Sequence, residues 1–207
     1  MDRICIIGDS ITHGTGDESM LGWPGIVFKD YPKLTIYNLG VRADTSELIA
    51  TRWKSESKVR LPDKQRCGLI FSFGTNDSAD KIGEGIRVKL EDSVVNARKI
   101  LKEAKAWLPT IMIGPIPIVN FMQPFNSGAG IYHFDNERIA SYNNAYKALA
   151  IEIQIPYLDI YSFLSTNERW SDSQKSNDGI HPMHKGYQAL ATYINSWDSF
   201  QKFIHDV

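Results

Sequence analysis

The chain has 207 residues, 43% of them hydrophobic, with 23 basic and 24 acidic side chains and a formal net charge of -1. That length can bury one sizeable core and favours one domain over two. The near-neutral balance offers no block of like charge to nucleic acid or a membrane surface, and no apolar run approaches the ~20 residues of a membrane span.

In chain order, the N-terminal stretch Met1-Asp2-Arg3-Ile4-Cys5-Ile6-Ile7-Gly8 lacks a basic leader and a long apolar segment. It reads as a buried strand and not as a secretion signal, which makes the cytoplasm the expected compartment. Four more short apolar runs bounded by turn residues, Leu34–Leu39, Leu69–Phe73, Ile111–Gly114 and Tyr157–Ile160, predict further strands. Runs without polar alternation suit strands covered on both faces. Between them, Pro24 can begin a helix over Gly25 to Tyr31, since proline suits a first helical turn. Further helices are expected near Thr45–Trp53, Glu137–Glu152 and Lys185–Trp197. The strongest helical pattern is Leu90, Val94, Ala97, Leu101, Ala104 and Leu108, alternately four and three residues apart and ending before Pro109. That spacing is one apolar stripe on a helix, and the basic residues from Lys99 to Lys105 read as its solvated face. Strand and helix alternate, so the prediction is an α/β domain with a parallel sheet between helices. Pro115–Asp135 and Ser162–Asn177 are expected to be irregular, and loops of that length often bind or cover ligands. The first carries Phe121, Phe125, Tyr132 and Phe134, which either pack back on the core or line an apolar pocket.

Cys5 and Cys67 both fall in predicted strands. Without a secretion signal they are expected to be reduced, buried small hydrophobes, and neither has a partner at metal-ligand spacing.

Four polar phrases stand at the ends of these elements. Gly8-Asp9-Ser10 follows the first strand, Asn38-Leu39-Gly40 ends the second, and Gly74-Thr75-Asn76-Asp77 follows the third. Asp178-Gly179-Ile180-His181-Pro182 precedes the last predicted helix. Ligands of open α/β sheets bind beyond the carboxyl ends of the strands, so the four are expected to converge at one rim. A hydroxyl becomes a nucleophile when a base takes its proton, and a histidine base works best when a third group orients its ring. Ser10, His181 and Asp178 are candidates for those three parts. The backbone N–H groups of Ser10 and Gly40 and the side-chain amide of Asn76 are candidate donors to the tetrahedral oxyanion. Glycine at position 40 would let a substrate approach the backbone. Asp9 and Asp77 read as loop-ordering residues, Trp23 as core, and His13 is not taken as a base. His184 lies three residues after His181 but lacks a third ligand, so no metal is expected. Each phrase alone is an ordinary turn or cap; it is the combination that points to nucleophilic catalysis.

The set G-D-S-I-T at Gly8–Thr12, N-L-G at Asn38–Gly40, G-T-N-D at Gly74–Asp77 and D-G-I-H-P at Asp178–Pro182 resembles the SGNH hydrolases, also called the GDSL esterases and lipases. The matching phrases span almost the whole chain. The resemblance implies a flavodoxin-like three-layer α/β/α sandwich with a central, mainly parallel five-stranded sheet. It also implies a serine esterase without cofactor, with Ser10, Gly40, Asn76 and His181 as the name-giving residues and Asp178 as third triad member. Ile11 stands where the family nominally has leucine, an apolar swap. The stretch Val41-Arg42-Ala43-Asp44-Thr45 lacks the second glycine of many relatives. The α/β-hydrolases are excluded: their elbow reads G-x-S-x-G, whereas Thr12 stands two after Ser10, and Ser10 follows the first strand.

The expected substrate is a small-molecule carboxylic ester or thioester. The loop around Phe121, Met122 and Phe125 points to an apolar acyl group, as in lipase-, lysophospholipase- or acyl-thioesterase-like relatives, with Phe121, Phe125 and Tyr132 as substrate-binding candidates. The alternative within the family is a carbohydrate O-deacetylase, with Arg42, Asn120 and Asn126 contacting the sugar. The alternative from another class is a non-catalytic binding module on the same scaffold, whose mark would be an impaired triad.

Overall fold

The computed structural model describes residues 1–205. The chain opens with β1 (Arg3–Gly8), the short α1 (Ser10–His13), α2 (Gly22–Phe28), β2 (Thr35–Gly40), α3 (Ser46–Lys58) and β3 (Cys67–Ser72). Two two-residue strands follow, β4 (Asp80–Lys81) and β5 (Gly85–Ile86), then α4 (Leu90–Trp107) and β6 (Thr110–Ile113). A 3₁₀ turn (Asn120–Met122) leads into the hairpin β7 (Phe125–Ser127) and β8 (Gly130–His133), and α5 (Asn136–Glu152) and β9 (Tyr157–Leu158) come next. The remainder is helical: α6 (Ile160–Leu164), α7 (Glu168–Lys175), α8 (His184–Asn195) and α9 (Asp198–His205).

Five strands form one parallel sheet in the order β2-β1-β3-β6-β9. That is the 2-1-3-4-5 order of flavodoxin-like folds, with a switch point between the first and third strands. The side-chain period of two divides each strand between two cores. Ile4 and Ile6 of β1, Ile70 of β3 and Ile111 and Ile113 of β6 face one side. Cys5, Ile7, Leu69, Phe71 and Met112 face the other. The first side is covered by α2, α8 and α9 through residues such as Trp23, Val27, Tyr187, Leu190, Phe200 and Phe203. The second is covered by α3, α4 and α5 through Ile49, Trp53, Ala97, Leu101, Ala104 and Tyr146. Layers of helix, sheet and helix result. Both cysteines are free and buried, and burial pushes the Cys5 thiol up to about 11. Among the described residues no helix is long and apolar enough to cross a membrane.

Two expected loops prove structured. Most of 162–177 is helix: the Asn167 carboxamide caps α7 by accepting from Trp170 N–H at 3.0 Å, and Trp170 is fully buried. Its run of Ser, Asp and Asn hides a helix whose anchor is one tryptophan, because such residues favour caps and turns in isolation. The 115–135 stretch carries the β7–β8 hairpin, which joins β4 and β5 in a second, antiparallel sheet of order β5-β4-β8-β7. That sheet draws its strands from both sides of α4. Its pairing is therefore set by long-range contact, which local apolar pattern does not report.

The register fixes where the polar phrases emerge. Gly8 pairs with Gly40 on one side and Ser72 on the other. The three chains following β1, β2 and β3 therefore leave the sheet side by side.

Candidate active site

Gly8 ends β1 because nothing larger fits: a Cβ there would fall 2.3 Å from Ser72 O. Asp9 then caps α1, its Oδ1 accepting Ile11 N–H at 2.9 Å, and Ser10 becomes the first residue of that turn. Across the rim, Asp178 organises its own loop. One carboxylate oxygen accepts the N–H groups of Ile180 at 2.9 Å and His181 at 2.7 Å. The other lies 2.6 Å from His181 Nδ1, and His181 Nε2 lies 2.9 Å from Ser10 Oγ. Residues 171 positions apart in sequence thus form one hydrogen-bonded chain, with Ser10 7% and His181 6% exposed. Such a chain can carry a proton from a hydroxyl to an imidazole whose tautomer a carboxylate holds.

The histidine loop is locked from below. Gln174 Nε2 donates to Ile180 O at 2.6 Å and Pro117 O at 2.9 Å, and Asn177 Nδ2 donates to His181 O at 3.0 Å. Gly179 takes φ +82, and a Cβ there would meet Met122 Cβ at 2.7 Å. Met122 thus packs on the backbone of this loop.

Charge is tuned in opposite directions at two carboxylates. Burial pushes Asp9 up to about 6, while the bond from Ile11 N–H and the field of His181 pull against it. At Asp178 burial also acts upward, but the bond from the His181 ring, its charge and the two backbone donors outweigh it and hold the carboxyl below its ordinary value. Asp178 is therefore an anion at neutral pH, as an orienting group must be.

The expected donors do not all reach the site. Asn76 lines the pocket beside Ser10, with its Nδ2 3.0 Å from Asp44 O and 3.3 Å from Asp9 Oδ2. Gly40 does not line it: its N–H donates to Asn38 Oδ1 at 2.9 Å. A Cβ on Gly40 would fall 2.2 Å from His13 N. Gly40 is glycine because α1 crosses its backbone, and not because a substrate does, which corrects the expectation for that position. The turn immediately beyond does line the pocket, through Arg42 and Ala43. Asp44 N–H closes that turn on Val41 O at 3.2 Å, and Val41 N–H pairs with Gly8 O at 3.0 Å. Ala43 lines the pocket at φ +65, and its N–H has no partner among the described residues.

Distant residues hold this turn. Arg52 pairs with Asp44 at 2.6 Å and donates to Gly8 O at 3.0 Å. Asp77 accepts Ser46 N–H at 2.9 Å and the Ser93 hydroxyl at 2.7 Å. Arg87 donates to Ala43 O at 2.7 Å.

A pocket of about 90 Å³ opens beside Ser10 and His181, walled by Ile180 and by Phe125, Ala129, Tyr132 and Phe134 of the hairpin region. The Phe125 ring stands edge-on to the His181 ring at 6.2 Å. Phe121 is elsewhere: it is 78% exposed and lies outside the lining, as do the exposed Asn120 and Asn126. Arg42 and Arg87 border the opening. His184 lies 3.0 Å from Asp17 and 2.9 Å from Ser19, away from the Ser10 chain, and no metal-binding cluster occurs among the described residues. Sequence reasoning missed Ala43 and Arg87. Neither carries a local signal, since alanine is rare at positive φ and Arg87 acts through a fold contact.

No curated protein sequence matches the chain. Among solved structures it is similar to a lipase/acylhydrolase from Enterococcus faecalis, at TM-score 0.75 and 22% identity over 94% of this chain and 93% of that one. A member of the lipolytic G-D-S-L family from Veillonella parvula aligns at TM-score 0.71 and 19% identity, covering 95% and 98% of the two chains. An acetyl-xylooligosaccharide esterase from Geobacillus aligns at TM-score 0.68 and 19% identity, covering 93% and 92%. The profile of the GDSL-like lipase/acylhydrolase family matches residues 6–189, and the chain belongs to that family.

Proposed function

We propose that the chain is a serine esterase that cleaves carboxylic esters through an acyl-enzyme on Ser10. The observation that carries this reading is the unbroken contact from Asp178 through His181 to the Ser10 hydroxyl. Ser10 Oγ attacks the acyl carbonyl while His181 Nε2 takes its proton. The imidazolium, stabilised by Asp178, gives that proton to the departing alkoxide. Water then repeats the sequence on the acyl-enzyme and releases the acid. The developing oxyanion is met by the N–H groups of Ser10 and of Ala43, in place of Gly40, and by the Asn76 amide once its long 3.3 Å contact with Asp9 is exchanged for the oxyanion.

Pocket size selects the acyl group. About 90 Å³ is smaller than the ~150 Å³ cavity that admits benzene and far below the ~300–1,000 Å³ of drug-sized sites. An acetyl to butyryl chain fits against Phe125, Tyr132 and Phe134, and a longer chain would have to run out through the mouth. A second reading, a sugar O-acetyl ester, is favoured by Arg42, an exposed guanidinium at the pocket mouth that makes no ion pair among the described residues. It is also in keeping with the acetyl-xylooligosaccharide esterase among the similar structures.

A fluorophosphonate should label Ser10, and Ser10→Ala should keep its fold while losing about 10⁴–10⁶ in turnover. Undiminished hydrolysis by Ser10→Ala would falsify the assigned nucleophile. A panel of 4-nitrophenyl esters from acetyl to decanoyl, with acetylated xylooligosaccharide beside it, reads the acyl preference. A maximum at octanoyl or longer would overturn the short-acyl reading.

A further inference from the structure

Ala43 holds a conformation that glycine takes freely and an L-residue resists. It is the third residue of the turn closed from Asp44 N–H to Val41 O, and its φ is +65. Positive φ at that turn position favours glycine, because a Cβ crowds the neighbouring carbonyl. The other supports of this turn, from Arg52, Asn76 and Asp77, grip residues 44 and 46. Among the described residues, the one hydrogen bond made to Ala43 itself comes from Arg87, whose Nη2 donates to Ala43 O at 2.7 Å. Arg87 is in turn braced. Its backbone N–H donates to Ala79 O at 2.9 Å, and its guanidinium lies 5.5 Å over the ring of Tyr132 in β8. One side chain thus joins the wall of the pocket to the carbonyl of the residue whose N–H, one peptide earlier, faces the reacting atoms under the esterase reading.

We propose that Arg87 is a positioning residue: braced on Tyr132, it holds Ala43 in the left-handed turn that presents the Ala43 N–H to the oxyanion, a task needed because position 43 is not glycine. The inference rests on the proposed esterase reading. It differs from a role for Arg87 in holding substrate, because a misplaced oxyanion donor weakens the transition state more than the ground state.

The test crosses Arg87→Gln with Ala43→Gly and measures kcat and KM for 4-nitrophenyl acetate and the rate of inactivation by a fluorophosphonate. In the native background Arg87→Gln should lower kcat and the inactivation rate by about 10-fold, part of the ~10²–10³ lost with a whole donor, and move KM less than about 2-fold. In the Ala43→Gly background the same substitution should cost less than about 3-fold, since glycine keeps positive φ without the clamp. Equal losses in both backgrounds, no loss in either, or a change confined to KM would overturn the proposal. Thermal melts accompany each variant. If Arg87→Gln does not fold, Tyr132→Leu takes its place: it removes the brace and also alters the acyl wall, so the part of its kcat loss that disappears in the Ala43→Gly background is the readout, and a loss equal in both backgrounds overturns the proposal. Failure of the esterase reading is separable: it appears as an active or labelled Ser10→Ala, whatever the Arg87 variants do.

Discussion

The two flanks of Ser10 are built in different ways. On the base side, the bonds that orient the ring come from four consecutive residues, with Gln174 and Asn177 bracing them from just upstream: Asp178 accepts the N–H groups of residues 180 and 181 and holds the ring of His181 with its second oxygen. On the anion side, the turn from Val41 to Ser46 is held by Gly8, Arg52, Asn76, Asp77 and Arg87, contributed by β1, α3 and the segments after β3 and β5. A local device costs little chain entropy and survives small shifts of the scaffold. A device held by residues from four segments depends on the whole fold. Substitutions on the first flank should therefore strike chemistry, and those on the second should strike stability and chemistry together.

The largest contrast is between Asp178→Asn and Asp77→Ala. In Asp178→Asn the carboxamide oxygen can still accept both backbone donors. Its NH₂ then faces His181 Nδ1 and imposes the wrong tautomer, so kcat should fall about 10⁴-fold. The side chain is 30% exposed, and unfolding free energy should change by less than about 1 kcal/mol. Asp77→Ala instead strands the buried Ser46 N–H and leaves the Ser93 hydroxyl with Tyr146 alone, which should cost about 2–4 kcal/mol in denaturant melts. If Asp178→Asn proved the less stable of the two, the contrast between a local and a distributed flank would be wrong.

Asp9 lies where the flanks meet, and pH probes it. Its folded value of about 6 stands above the ordinary 3.8 of an aspartate. Between those values the native state binds more protons than the unfolded chain, so this group's contribution is fully present below about 4 and is lost as pH rises through 6. The difference of roughly two units corresponds to about 3 kcal/mol at most. Asp178, held below its ordinary value, acts in the opposite sense and loses its contribution as pH falls below the normal carboxylate range. Asp9→Asn should flatten the decline in stability from pH 4 to 6 and raise Tm at pH 8. An unchanged slope across that window would show that Asp9 is not the group responsible.

The same division governs what the sequence discloses. The D-G-I-H-P phrase makes its orienting bonds within itself, so the approach of Asp178 to the His181 ring could be read from spacing, and the apolar runs announced all five strands of the main sheet. The anion side resisted. Gly40 carried the obvious signal, a glycine after a strand, but that glycine makes room for the backbone of His13. Ala43 and Arg87 meet through a turn and the segment after β5, whose contact no local pattern encodes. The aromatic stretch 121–134 was legible as composition and illegible as direction, since the pairing of β8 with β4 decides which rings point inward.

Phe121 and Phe125 give the smallest and most discriminating measurement of that last point. They are four residues apart in one segment of similar composition, yet Phe125 borders the pocket with its ring 6.2 Å from that of His181, while Phe121 is 78% exposed. Phe125→Ala should enlarge the cavity beside the acyl carbon. The optimum should shift toward longer chains, and kcat/KM for acetyl esters should fall about 10–100-fold, equivalent to roughly 1–3 kcal/mol of lost apolar contact. Phe121→Ala removes a ring that already faces water, so kcat/KM should stay within about 2-fold and Tm within about 1–2 °C. A large loss of activity in Phe121→Ala, with Phe125→Ala unaffected, would mean that the hairpin binds substrate through its outer surface. The wall of the pocket would then have to be redrawn around the 3₁₀ turn and not around β7 and β8.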